Sequence, residues 1–298
     1  DLTSKTLKIV HLTENSIEEE ISAGAAVFAI GHSARDTFDM LYRHQIPMRA
    51  KSFAVGVRVE HPQTLIDHSQ YGRDRGNDLP AAAYKLTENL ENGRGVYTFC
   101  MCPGGYVVNA SSEKHRLAVN GMSYRDRAGE NANSAVIVTV TPDDFGSDHP
   151  LAGISFQRSL EEKAYQAGQG KVPVQRFGDF KENQITTAYG KVHSCIKGAS
   201  VFGNVRAIFP TEIAQSLEDG ITAMDHKIHG FADDDALLSG VESRTSSPVR
   251  IERDENFVCA SCDWIYPCGE GAGYAGGITS AAMDGMKVAE AIIQKYKS

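Results

Sequence analysis

Five glycines, Gly269, Gly271, Gly273, Gly276 and Gly277, fall within nine residues of the run YPCGEGAGYAGGITSAAMDG, Tyr266 to Gly285. An apolar strand over Trp264–Cys268 precedes them. A helix to about Tyr296 follows, with Ile278, Ala281, Ala282, Gly285, Val288, Ala289 and Ile292 along one face. Side-chain-free positions at a strand-to-helix junction let a ligand meet bare backbone N–H groups. The partial positive charge at the helix N-terminus favours a phosphate or another electron-rich group there. Glu270 in the loop and Thr279-Ser280 at the helix start add convergent polar groups. That convergence favours a ligand seat over a turn whose glycines only reverse the chain.

Other groups that could do chemistry are weaker. Cys100 and Cys102 would share one face of a strand and suit a thiol relay, but two buried cysteines before the Pro103-Gly104-Gly105 turn are the favoured reading. Cys259-x-x-Cys262 with Cys268 resembles a zinc half-site short of a fourth ligand, so no metal is expected. Arg244, in Glu242–Pro248, suits an anionic substrate group, with Glu242 or Asp254 as the alternative ion-pair partner. His226 and His229 share a helix face without an acidic third ligand. No G-x-S-x-G elbow or Walker loop occurs. No residue pair declares itself as catalytic acid and base.

The elements that must position these groups are readable from periodicity. Strands are expected at Lys5–His11, Ala25–Ile30, Ser52–Glu60, Val96–Cys100, Tyr106–Ala110, Ala135–Val140 and Pro248–Arg253. Helices are expected at Asp36–Arg43, capped by Ser33, and at Ser159–Ala167 and Glu212–Gly230. Thr64–Glu91 reads as polar loop with a short helix near Ala81–Leu90, Asn120-Gly121 as a turn, and Gly168–Pro210 as irregular. The order suggests a strand–loop–helix domain interrupted by a large insertion.

With 298 residues there is room for about two domains of roughly 150 residues. The apolar share of 41% and charged share of 23% suit a globular chain with a sizeable core. Lys+Arg 30 against Asp+Glu 38 leaves −8, a poor balance for binding nucleic acid or anionic membranes. No run of 18 apolar residues is present. Six sparse cysteines fit free thiols in a reducing cytoplasm. The chain starts at Asp1, without a Met or a signal-like segment, and is expected to begin inside a longer protein.

The run from Gly269 to Ala282 with Asp284-Gly285 resembles the C-terminal flavin motif of a bacterial family of FAD-dependent, or NAD/FAD-utilizing, dehydrogenase-like flavoproteins, distantly similar to HI-type flavoproteins. AIGHSARDTFDML (29–41), AVGVRVEHPQTLID (54–67), FCMCPGGYVVNASSE (99–113), NGMSYRDR (120–127), ANSAVIVTV (132–140) and GVESRTSSPVRI (240–251) agree in order. The resemblance implies an α/β fold with an inserted α+β cap, part of a two-dinucleotide-binding-domain (FAD/NAD(P)-binding) architecture. Residues 1–35 and 250–298 would be a partial FAD-binding domain. Residues 36–249 would be the cap, β-rich at 50–140 and helical at 150–235.

The implied activity is that of an FAD-dependent oxidoreductase on a small-molecule substrate, with NAD(P) as co-substrate. Carried over by position, Gly31 and His32 end the strand that runs past the cofactor. Gly269, Glu270 and Gly273 lie in the flavin loop, with Glu270 near the ribityl chain or pyrophosphate. Gly276, Gly277, Ile278 and Thr279 begin the helix that faces the flavin. One departure stands out: the family's N-terminal G-x-G-x-x-G unit for the ADP half does not follow the first strand here. The chain is therefore expected to be a C-terminal fragment, inactive by itself, with weak or absent FAD binding. The alternative is a non-catalytic ligand- or partner-binding module that keeps the cap.

Overall fold

A computed structural model describes residues 1–11, 17–76 and 78–297. They form two compact units, one of residues 1–52, 141–154 and 246–298, the other of 53–140 and 155–245. The first unit takes in 36–52 and 141–154, which the resemblance assigns to the insertion. The reason is packing: Phe38, Leu41, Ile46 and Ile154 share one core with Val249, Ile251, Trp264 and Ile265.

In the first unit, Ala26–Phe28 pairs in parallel with Ile265–Pro267, and Met48–Ala50 pairs antiparallel with Val249–Ile251. Thr6–His11 pairs antiparallel with Ile17–Ser22, a strand that spacing does not signal. The helix Arg35–Arg43 buries Phe38 and Leu41. Ala34, not Ser33, holds its N-cap position, and no side chain caps it. The Ser33 hydroxyl lies 3.4 Å from His32 Nδ1 instead. The terminal helix, Ile278–Tyr296, buries Asp284 and Val288.

The second unit is built on a seven-stranded mixed sheet in the order Ser200–Phe202, Val172–Arg176, Leu237–Glu242, Phe53–Pro62, Asn131–Val140, Gly95–Cys102 and Thr87–Asn89. Only the first pair is parallel. The central strands Phe53–Pro62 and Asn131–Val140 are buried at nearly every position, so both sheet faces are covered. The helix Thr211–Met224 turns Ile213, Leu217, Ile221 and Met224 inward, the spacing the sequence shows. It ends six residues before Gly230. At Gly220 a β-carbon would stand 2.5 Å from Val96 Cγ1, so the glycine sets how closely helix and sheet approach.

Several local expectations fail here. The stretch after Pro62 is a helix, Gln63–Tyr71, rather than loop. Its polar residues are internal partners: the Gln63 side chain donates to Asp67 (2.8 Å) and to the Ala82 carbonyl (3.1 Å), and accepts from Gly104 N–H (2.7 Å). Residues 81–86 are not helical, and Thr87–Asn89 is an edge strand. Asn120-Gly121 lies inside the strand Val119–Ser123, paired with Gly105–Asn109. Within the stretch expected to be irregular, Val172–Arg176 joins the sheet. No helix among the described residues is long and apolar enough to cross a membrane.

His61 supplies a pH test of this unit. Its ring is buried, Nε2 donates to the Phe231 carbonyl at 2.8 Å, and Nδ1 has no partner among the described residues. Burial lowers its pKa to about 4, against a smaller upward pull from the Phe231 carbonyl. The folded state therefore refuses a proton that the unfolded state accepts below about 6.5. Stability is expected to fall as pH drops from about 6.5 to about 4, by roughly 3 kcal/mol at the lower end. Denaturant unfolding of wild type and His61→Gln across that range checks it: only the wild type should carry this slope.

Candidate functional site in the glycine loop

Parallel pairing delivers the loop. Cys268 N–H donates to the Phe28 carbonyl at 3.0 Å, one residue beyond the paired strand. Gly269 then adopts φ +75°, a left-handed conformation that side chains disfavour. Its N–H donates to Asp284 Oδ2 at 2.8 Å. Gly273 N–H to the Glu270 carbonyl (2.9 Å) and Tyr274 N–H to the Gly269 carbonyl (3.1 Å) close the turn.

The glycines divide into two kinds. A β-carbon on Gly271 would stand 1.9 Å from the Ile30 carbonyl oxygen, and one on Gly273, at φ +88°, 2.8 Å from the Val249 carbonyl oxygen. These positions, buried like Gly269, let the loop press on its own chain. They are not open to a ligand as the sequence pattern suggested. At Gly276 and Gly277 a β-carbon would meet nothing within 4 Å, so their backbone is open. They lead into the first turn of the terminal helix, which carries no acidic residue. Ile278 is 92% exposed, and Thr279 is exposed beside it. Ser280 Oγ accepts from Gly276 N–H at 3.2 Å and donates to the Gly277 carbonyl at 3.0 Å, which fixes this approach.

Asp284 and Arg253 lock the loop from behind. Arg253 donates to Asp284 Oδ1 and Oδ2 at 2.6 and 2.9 Å and to the Pro267 carbonyl at 2.7 Å. Its guanidinium lies 3.6 Å from the centre of the Tyr274 ring. Burial alone would raise the Asp284 pKa, but Arg253 and the Gly269 N–H hold it below the usual carboxylate range.

At the rim, the fold joins two residues far apart in sequence: His32 Nε2 lies 3.7 Å from Glu270 Oε1, beside the exposed Gly31. Burial raises the Glu270 pKa, and Lys51 pulls it back. Burial lowers the Lys51 pKa, Arg250 lowers it further, and Glu270 opposes both. Among the described residues Lys51 Nζ otherwise reaches only carbonyls, of Ser52 at 3.3 Å and Ser247 at 3.4 Å. Arg250 stacks on Tyr274 at 4.4 Å, and its buried Nε has no hydrogen-bond partner among the described residues. Lys51 and Arg250 are residues beside the loop that motif reading did not single out. Their signal is the alternation in Met48-Arg49-Ala50-Lys51 and Val249-Arg250-Ile251-Glu252, which puts the charges on one side of each strand.

The remaining candidates fall elsewhere. Arg244 forms a two-pronged pair with buried Glu161, both contacts 3.0 Å, and reaches Ser112 at 2.6 Å, so neither Glu242 nor Asp254 is its partner. Cys100 and Cys102 are not a buried pair. A bulge opposite Asn133–Ala135 puts Cys100 at φ +43° with its side chain exposed. Burial raises the Cys102 thiol pKa against the pull of Arg58, which disfavours a reactive thiolate. Cys259 and Cys262 close a turn through Cys262 N–H to the Cys259 carbonyl at 3.2 Å, and no disulfide joins any of the six cysteines. Among the described residues no group of three His, Cys, Asp or Glu side chains could hold a metal. A cavity of about 830 Å³ in the first unit, lined by Leu2, Leu7, Phe28, Leu41 and Trp264 among others, includes none of the nine predicted site residues.

Comparison with known proteins gives a family. Residues 52–245 match the family described as "FAD-dependent protein, C-terminal domain-like". The matched span lies between His32 and the glycine loop and nearly coincides with the second unit. The chain is also 48% identical, over 299 aligned residues, to an uncharacterized protein of Clostridium beijerinckii (strain ATCC 51743 / NCIMB 8052). That alignment covers 99% of this chain and 56% of the relative, so the chain spans a little over half of the relative's length.

Proposed function

From a chain that belongs to the FAD-dependent protein, C-terminal domain-like family, we infer the FAD-contacting C-terminal part of a flavoprotein oxidoreductase acting on a small-molecule substrate. In this reading the parallel pair and the terminal helix are the C-terminal portion of an FAD-binding domain of the two-dinucleotide-binding type, and 53–140 with 155–245 is its insertion. NAD(P) as electron partner enters through the family resemblance alone.

The observation that carries the reading is the open backbone of Gly276 and Gly277 ahead of a helix whose first turn has no carboxylate. The residues present fit a flavin. Bare backbone lets a flat ring approach, the first-turn N–H groups suit its electron-rich edge, and Glu270 can accept from ribityl hydroxyls. When bound, the flavin supplies hydride or electron transfer. The chain's own part is to hold and orient: Asp284, Arg253 and the inward glycines fix the loop, Gly277 to Thr279 present N–H groups, and Gly31 and His32 border the rim.

Thr279→Asp tests this reading. A carboxylate in the first turn favours the helix itself but repels an electron-rich ligand edge. Flavin affinity, followed by fluorescence on titrating the chain with FAD and with riboflavin, should be weak in wild type and similar for the two ligands. The variant should bind roughly fivefold more weakly or worse, at an unchanged or higher melting temperature. Equal affinity in wild type and variant, or no flavin binding at millimolar concentration, would overturn it.

A further inference from the structure

We infer that Lys51 and Arg250 are an anion anchor beside the glycine loop, holding a carboxylate or phosphate group of the ligand seated there. The inference rests on the loop being a ligand seat and adds which chemistry that ligand carries.

Antiparallel register places Arg49 opposite Arg250 and Met48 opposite Ile251. Arg49, Lys51, Arg250 and Glu252 therefore share one face of this ribbon, and Val249 and Ile251 on the other face lie in the core. The cations cannot turn away without pulling those apolar residues out. On the charged face, Arg49 pairs with Glu252 at 3.2 Å. Lys51 and Arg250 are left with Glu270 as the carboxylate that acts on Lys51, and Glu270 also faces His32 at 3.7 Å.

Both cations are held as an anchor would be. Arg250 is oriented by its stack on Tyr274, whose hydroxyl is fixed by donating to the Ile251 carbonyl at 3.0 Å. Its guanidinium has no ion pair among the described residues, so its planar fork is free to bind an oxyanion in two-pronged fashion. Lys51 is half-buried next to that second positive charge, an arrangement that disfavours its charged form until an anion arrives. A structural pair would satisfy itself. This one has two cations, one carboxylate that acts on Lys51, and on Arg250 a buried unpartnered Nε.

The anion can come from a substrate carboxylate or from a cofactor phosphate, and the two are separable. Benzoate and inorganic pyrophosphate serve as probes, titrated calorimetrically into the 298-residue chain with and without FAD. At least one should bind saturably to wild type. Lys51→Met and Arg250→Gln should each weaken it about tenfold or more at unchanged melting temperature, while Lys51→Arg keeps most of the affinity. Benzoate binding that persists with FAD present assigns the anchor to substrate; pyrophosphate binding that competes with FAD assigns it to the cofactor. If neither anion binds wild type, or both variants bind as wild type does, the anchor is wrong. Anion binding without any flavin binding would keep the anchor and sink the flavin reading. Flavin binding without anion binding would do the reverse.

Discussion

Glu242→Ala is expected to destabilise the sheet-bearing unit by roughly 3–5 kcal/mol, because it strips the counter-ion from a fully buried arginine. Arg58 is 0% exposed at the centre of the sheet, and its Nε donates to Glu242 at 2.8 Å. Nη1 donates to the Cys100 carbonyl (2.7 Å) and Asn133 Oδ1 (3.1 Å), and Nη2 donates to Asn120 Oδ1 (2.8 Å). Four strands thus converge on one guanidinium, and Gly121 makes the room, since a β-carbon there would stand 2.4 Å from Nη1. Glu242 is the one carboxylate in that set, and removing it leaves a buried charge with neutral acceptors alone. Burial presses the Glu242 pKa upward, and Arg58 is what pulls it back. The double variant Arg58→Met, Glu242→Leu removes both charges. It should recover part of the loss, though Asn133 Oδ1 then loses its Arg58 donor, while Asn120 Oδ1 keeps the Gly121 N–H at 2.7 Å and the Cys100 carbonyl keeps the Cys102 thiol at 3.3 Å. Denaturant unfolding followed by circular dichroism decides it: a single variant within 1 kcal/mol of wild type would show that the pair does not hold the sheet together.

What was legible from the chain and what was not divides along physical lines. Long apolar alternation gave the strands around Val57 and Val136, and 3.6-residue spacing gave Thr211–Met224 and the terminal helix, because one buried face leaves a period in the residues. The helix Gln63–Tyr71 was hidden because its inward positions include Gln63 and Asp67, polar residues satisfied by partners 15 to 41 positions away. The strand Leu237–Glu242 is short and buried throughout, so no period shows. At the site, the glycine count was visible but the division of labour was not. Whether a glycine meets a carbonyl or open space depends on Ile30 and Val249, which the loop reaches only after folding. The nearness of His32 to Glu270, and the shared face of Lys51 and Arg250, follow from strand pairings that no local window contains.

That division of labour makes the second large prediction. Gly271→Ala should unfold the first unit or cost it several kcal/mol, whereas Gly276→Ala should leave its stability within about 0.5 kcal/mol. At Gly271 the added methyl meets the Ile30 carbonyl oxygen at 1.9 Å and the Ile30 carbonyl carbon at 2.7 Å, both backbone atoms of the chain that continues the Ala26–Phe28 strand. No rotamer change relieves such a clash, so strand or loop must move. The buried Ser247 hydroxyl, which donates to the Gly271 carbonyl at 2.9 Å, and Ile251 N–H, which donates to the Ala272 carbonyl at 3.1 Å, oppose that movement. At Gly276 an added methyl meets nothing within 4 Å, and the backbone is not left-handed. The methyl instead occupies the space a flat ligand would use, so this variant should bind flavin several-fold more weakly while melting like wild type. Trp264, the single tryptophan and 2% exposed in the core of this unit, reports the unfolding by fluorescence. A stable Gly271→Ala chain would mean that the loop is not pressed against the strand. A Gly276→Ala chain that is equally stable and binds flavin as wild type does would mean that the open glycines face no ligand.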